Sequence, residues 1–290
     1  MHKLLPSVVF LLACLLPHTL VATTAPPLKT DSSLPKIAII LDDLGYNRIA
    51  GERALQLNGA ITYAIIPFTP FSTTFAEQAH LGNREVILHM PMQSSDATRK
   101  LDEGGIATTL SETEIRERVN NAIENVPHIV GMNNHMGSEI TSNVQIMHWL
   151  MQEIEDKPLF YVDSLTHPQS VAKRSAQHYN IPSLERDVFL DNIQTEANID
   201  RMFRSLVRIA KQRGHAIAIG HPYPATLDYL EKALPSLEQQ GVQLVKASEL
   251  VMQYGTPVDQ PVDIDHLMEM IVAMPAPESH RLNFTNEGIY

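Results

Sequence analysis

Short unbroken apolar runs alternate along this chain with longer stretches in which apolar residues return every three or four positions. Lys36 to Leu41 (KIAIIL) lacks polar alternation, as expected of a strand covered on both faces. The same reading predicts strands within Ile61 to Pro67, Glu85 to Met92, Ile129 to Gly137, Leu159 to Thr166, Asp187 to Asp191, His215 to Pro222 and Val242 to Leu250. Between them, Ser111 and Glu114 form a capping box ahead of Ile115, Val119 and Ile123. Asn143 to Glu155, Ile199 to Arg213 and Thr226 to Gln240 carry helical spacing, and Gly214 and Gly241 stop the last two. The repetition predicts a single α/β domain with a mainly parallel sheet, open or closed into a barrel.

The ends of the chain read differently. Residues 1–25 have the layout of a secretory signal peptide: Lys3, the apolar stretch Leu4 to Leu16, then small residues around Ala22 and Ala25. An uncleaved N-terminal anchor is the alternative, and Leu11-Leu12-Ala13-Cys14 also resembles a lipobox. Residues 26–35 read as a linker, 36–253 as the ordered domain, and 254–290 as a tail. The expectation is a periplasmic or otherwise secreted protein with no stable membrane span after signal cleavage. Cys14 is the only cysteine, so a cleaved chain has neither disulfide nor thiolate chemistry. A formal net charge of -11 argues against a nucleic-acid partner.

Ligands of parallel α/β folds sit at the carboxyl ends of the strands, so the polar residues there are the candidates. They are Asp42-Asp43, His89, Asn133-Asn134-His135, Asp163-Ser164, Arg186 with Asp191-Asn192, and His221. Each alone is ordinary turn chemistry or a structural histidine. Their convergence on one mouth points to a metal-hydrolase type of site. Tyr46, Phe68, Phe71 and Tyr223 follow strand ends, where aromatic rings either stack on a sugar or close the barrel.

The segments IAIILDDLG, LHMPM, GMNNHMGS, FYVDSLT, RDVFLDN and IAIGHPYPAT resemble the divergent branch of the polysaccharide deacetylase family. The resemblance spans about Lys36 to Met252 and implies a distorted, incomplete (β/α) barrel. It implies a divalent metal, usually zinc, and removal of acetyl groups from an N-acetylated carbohydrate or peptidoglycan-like substrate. By it, Asp42 matches the general base, Asp43 the metal-binding Asp, His89 the first metal His, and His221 the general acid. The second His of the usual motif is replaced by Met92, a poor ligand for such a site, and Asn133-Asn134-His135 stands where an Arg-Pro-Pro segment is usual. His135 is then expected to supply the missing imidazole. Asp163 is a reserve ligand or an orienting carboxylate, Asn134 a supporting residue, and Arg186 either a partner that holds Asp163 or Asp42 charged or one side of a structural salt bridge. A related amidase, or a catalytically inactive glycan-binding or envelope-assembly protein on the same scaffold, are the alternatives.

Overall fold

The computed structural model describes residues 34–255. The segments expected to be a signal peptide and a linker, up to Ser33 and with Cys14 among them, and the expected tail beyond Gly255 lie outside the described residues. Strands and helices alternate: β1 (Lys36–Leu44), α1 (Arg48–Leu55), β2 (Thr62–Ile65), α2 (Ser72–Leu81), β3 (Glu85–Met92), α3 (Glu112–Asn125), β4 (Ile129–Met136), α4 (Val144–Ile154), β5 (Phe160–Asp163) and α5 (Ala172–His178). Then follow β6 (Ser183–Glu185), β7 (Val188–Phe189), α6 (Glu196–Arg213), β8 (His215–Gly220), α7 (Pro224–Ala233), β9 (Gln243–Leu244) and α8 (Ala247–Tyr254). The strand order is β6-β5-β4-β3-β2-β1-β8-β7, with β9 beside β1, and every pairing is parallel.

The sheet curls until its two ends meet on one stretch of chain. β6 pairs with β5, and β7 pairs with β8. Between them the Arg186 amide donates to Asp163 O and the Asp187 amide to Ile217 O, each at 2.9 Å. This is the distorted (β/α) barrel expected above.

Strand periodicity divides the core. Inward positions, Ala38, Ile40, Ala64, Ile87, Phe160, Val162, Leu184, Ile217 and Ile219, fill the barrel, while a larger cluster lies between the sheet and the helices. At Gly131 a Cβ would stand 2.6 Å from the Phe160 ring, so the missing side chain leaves room for that ring in the barrel. Helix α8 packs Ala247, Leu250 and Val251 into the same interior cluster. Its first amides are accepted by Thr62 Oγ1 (3.0 Å, from Ala247) and Glu85 Oε1 (3.1 Å, from Ser248).

Three sequence expectations change here. The run Val242 to Leu250 is not one strand, because Ala247, Leu250 and Val251 have helical spacing and lie on the buried face of α8. The helix expected to reach Gln240 ends at Ala233, and Pro235 lies in the 3-10 turn Leu234–Ser236 that follows. The run Asp187 to Asp191 contributes only the two-residue β7, and the neighbouring β6 was not anticipated.

Candidate metal centre and catalytic pair

Along each inward-facing row, apolar side chains give way to polar ones at the carboxyl end. Ala38 and Ile40 lead to Asp42, Ile87 to His89, Val162 to Ser164, and Ile219 to His221. Parallel register sets Asn133 beside His89 and His135 beside Pro91, so β3 and β4 present their imidazoles to the same space. After Asp42 the backbone of β1 departs from the strand: Asp43 has φ 60°, in the left-handed region, and its carboxylate joins the same cluster.

Asp43, His89 and His135 bring one ligand atom each to a common point. Asp43 Oδ1 lies 3.1 Å from His89 Nε2 and 2.9 Å from His135 Nδ1, and the two nitrogens are 3.2 Å apart. Ligands of tetrahedral zinc at about 2.0–2.1 Å stand about 3.4 Å apart, so the triangle needs only slight expansion.

The protons are arranged to suit a cation. Asn133 Nδ2 donates to Asp42 Oδ1 (2.8 Å), so Asn133 Oδ1 faces His89 Nδ1 (2.8 Å) and accepts its proton. His89 thereby turns Nε2 toward the Asp43 carboxylate, the side on which a cation would sit. His135 Nε2 points at Asp102 Oδ2 (3.2 Å), which leaves Nδ1 for the centre. Asp102 in turn accepts from Tyr46 Oη at 2.5 Å. Without a cation, burial disfavours the charge on His135, but hydrogen bonds and attraction to Asp102 and Asp43 prevail and push its pKa up to about 10. Burial opposes ionisation of Asp43 as well, yet its hydrogen bonds to His135 and His89 hold it well below the usual carboxylate range.

Two further groups flank the triangle. Asp42 is 2% exposed, and Asp42 Oδ2 is 3.5 Å from His89 Nε2. Burial raises its pKa, against the pull of His89 and His221. His221 Nε2 is 3.9 Å from Asp43 Oδ2, and its Nδ1 is 2.8 Å from Asp191 Oδ1. Asp191 Oδ2 also accepts from the His221 amide (2.6 Å) and Thr226 Oγ1 (2.7 Å), which fixes the ring. Burial works against the His221 charge, but Asp191 and the other carboxylates push its pKa up to about 9. All five side chains, Asp42, Asp43, His89, His135 and His221, line one cavity of about 330 Å³.

Asp163 and Arg186 do other work than expected. Asp163 alternates with the inward Val162 and Ser164, so its carboxylate faces away from the barrel. It accepts from the Leu165 amide (2.8 Å) and Ser170 Oγ (2.7 Å). Arg186 is inward, but Nε and Nη2 donate to the carbonyls of Ser164 (2.8 Å) and Leu165 (2.9 Å) rather than to a carboxylate. Its guanidinium lies 3.7 Å over the Phe189 ring. Asn134 supports the rim: its Oδ1 accepts from the Ser164 amide at 3.0 Å, and its Nδ2 donates to Met136 O at 2.8 Å. Asn133 and Asp191, strand-end candidates with no role assigned from sequence, orient His89 and His221, and Asp102 is the partner that sequence reasoning left out of the site.

Met92 is fully buried in the helix-side cluster with Leu88 and Met90, opposite to His89. A residue three positions along a continuous strand faces the other way. Met92→His therefore adds no ligand; it buries an imidazole among apolar side chains and is expected to cost about 1–3 kcal/mol. Denaturant melts with parallel metal analysis check this, and a gain in metal affinity would contradict the strand assignment.

Comparison with known proteins gives one consistent picture. An uncharacterized protein of Haemophilus influenzae is 37% identical over 215 residues, covering 74% of this chain and 76% of that one. The uncharacterized protein YibQ of Escherichia coli K12 is 38% identical over 216 residues, covering 74% and 67%. The crystal structure of the uncharacterized protein ATU2773 from Agrobacterium tumefaciens C58 has the same fold, with a TM-score of 0.73 at 20% identity, over 76% of this chain and 91% of that one. Residues 39–251 match the family described as divergent polysaccharide deacetylase, and the chain belongs to that family.

Proposed function

We propose that this protein is an exported, zinc-dependent hydrolase that removes acetyl groups from N-acetylated carbohydrate of the cell envelope. The observation that carries the reading is the Asp43–His89–His135 triangle, with the far nitrogen of each imidazole already tied to a partner. Export rests on the signal-peptide layout of residues 1–25. Imidazole and carboxylate donors suit zinc, and three protein ligands leave a position for substrate or water.

Asp43, His89 and His135 would hold the cation, which would supply Lewis-acid activation of water and of the acyl carbonyl. Asp42 takes the proton of the attacking water, a role suited by a carboxylate whose pKa burial raises. His221 carries a proton at neutral pH and gives it from Nε2 to the amine as the C–N bond breaks; Asp191 holds its ring toward the cavity. The balance is one amide and one water to acetate and a free amine.

The test is acetate release from N-acetylglucosamine oligomers by the zinc-loaded protein. Acetate is expected with wild type. Oligomer binding with no acetate release would favour the non-catalytic glycan-binding alternative.

Metal binding should also release a proton. His135, with its pKa raised from 6.5 to about 10, is charged in the metal-free protein throughout that interval, and ligation through Nδ1 requires the neutral ring. Zinc affinity is therefore expected to fall as pH is lowered. Calorimetric titration at pH 8 in buffers of different ionisation enthalpy should give about one proton per zinc from this group. No release would remove His135 from the ligand set.

A further inference from the structure

The connection between β3 and α3 is an arm that closes on itself at its base. There the Gln93 amide donates to Ile106 O and the Ile106 amide to Pro91 O, each at 2.8 Å. Just beyond the base, the Ser95 amide donates to Ser138 Oγ (2.9 Å), and Arg118 Nη1 donates to Gly105 O. The chain in between is exposed from Ser95 to Lys100, where Thr98 and Arg99 bond back only to Asp96. Among the described residues, every hydrogen bond and ion pair from Ala97–Glu103 to another element is made by Asp102. Its Oδ1 accepts from Tyr46 Oη (2.5 Å), and its Oδ2 meets His135 Nε2 (3.2 Å).

Asp102 therefore joins the arm to the β1–α1 turn and to the metal centre, where His135 Nδ1 faces Asp43 Oδ1 at 2.9 Å. A carboxylate on the far nitrogen of a ligating imidazole fixes the ring, and its loss costs about 10–100-fold in metal affinity. Linkage is reciprocal: what the Asp102 contact adds to cation affinity, the cation adds to the Asp102 contact. For His89 the same linkage moves nothing, because its partner Asn133 belongs to strand β4 inside the sheet. For His135 the partner sits on an exposed arm, so the linkage acts on a length of chain. That arm also brings Arg99 to the lining of the cavity, so its position sets part of the cavity wall.

We propose that closure of this cavity wall is coupled to the metal: a cation on Asp43, His89 and His135 holds the arm down through His135 and Asp102, and loss of the cation loosens it. The proposal rests on the metal centre of the hydrolase reading and adds a control by the cation over the shape of the site. The arm carries its own reporter. Arg99 and Lys100 are adjacent and exposed, two sites for trypsin on the stretch that Asp102 holds, and proteolysis follows local opening. Full-length protein is digested with and without saturating zinc, and the cuts after Arg99 and Lys100 are followed by mass spectrometry. A short unrelated peptide in the same reaction reports on trypsin itself.

Zinc is expected to slow these cuts about tenfold or more in wild type, the low end of the coupling. Asp102→Asn should bind zinc about 10–100-fold more weakly, measured by competition with a chelator, and should be cut at the same rate with and without saturating zinc. Tyr46→Phe leaves the carboxylate on His135 and should keep the protection. Zinc bound by wild type without slower cutting, protection that persists in Asp102→Asn, or wild-type zinc affinity in that variant overturns the proposal. Failure of wild type to bind zinc overturns it together with the metal centre. Coupling as expected, with no acetate released from N-acetylglucosamine oligomers, supports the proposal and removes the deacetylase reading alone.

Discussion

Asp43→Gly is expected to strip the centre of its cation and leave the barrel folded. Asp43 offers the only carboxylate oxygen in the ligand triangle, and the two imidazoles converge on it at 2.9 and 3.1 Å. Changes one shell further out cost about 10–100-fold in metal affinity, so removing a ligand itself should cost more than about 10²-fold. Glycine is preferred to alanine because the residue sits at φ 60°, where a Cβ is unfavourable and glycine is not. Elemental analysis should give about one zinc for wild type and close to none for the variant, and added zinc should raise the melting temperature of wild type alone. Acetate release should vanish together with the metal. A variant that keeps its zinc would mean that His89, His135 and some other group form the site.

The barrel was legible in the sequence because its strands are buried on both faces and so lack alternation. Glu85 to Met92 and Ile129 to Met136 appear in the structure with the bounds that the apolar runs suggest, to within one residue. The short helices α1 and α2 were not, and both have weak signals. The apolar residues of α1 are interrupted by Gly51 and Glu52, and α2 starts after Phe71 with no side-chain cap. Gly51 is there because the Phe75 ring would lie 2.3 Å from a Cβ at that position, a tertiary contact that local sequence does not reveal.

The candidate site divides in a similar way. Asp42, Asp43, His89, His135 and His221 were legible because each ends a buried strand. The distinction between Asn133 and Asn134 was also available: period-two alternation back from His135 places Asn133 inside with His89, and Asn134 outside. The same rule places Met92 opposite His89 and Asp163 opposite Ser164. Asp102 was not available. It comes from the long connection between β3 and α3, where no periodicity applies, and only the folded loop brings it to His135.

The neighbouring carboxylate should respond in the opposite way. Asp42→Asn is expected to keep its zinc and lose about 10²–10⁴-fold in turnover, the usual contribution of a positioned acid or base. Asp42 is outside the ligand triangle, and an asparagine there can still accept from Asn133 through Oδ1. Its other atom, facing His89 Nε2 at 3.5 Å in wild type, then becomes an amide donor that cannot take a proton from water. Stability gives an independent reading. Burial raises the Asp42 pKa above the ordinary 3.8, so the folded state binds its proton more tightly than the unfolded one. Stability is therefore lost as pH rises through the interval from 3.8 to the folded value, and the charged group is a cost at neutral pH. The metal-free Asp42→Asn protein should accordingly melt higher than metal-free wild type at pH 7, with the difference closing in acid. Turnover retained in a variant that is both metal-loaded and more stable would place the base elsewhere in the cavity; turnover lost under those conditions separates Asp42 from the fold and from the metal, and leaves proton transfer as its part in the reaction.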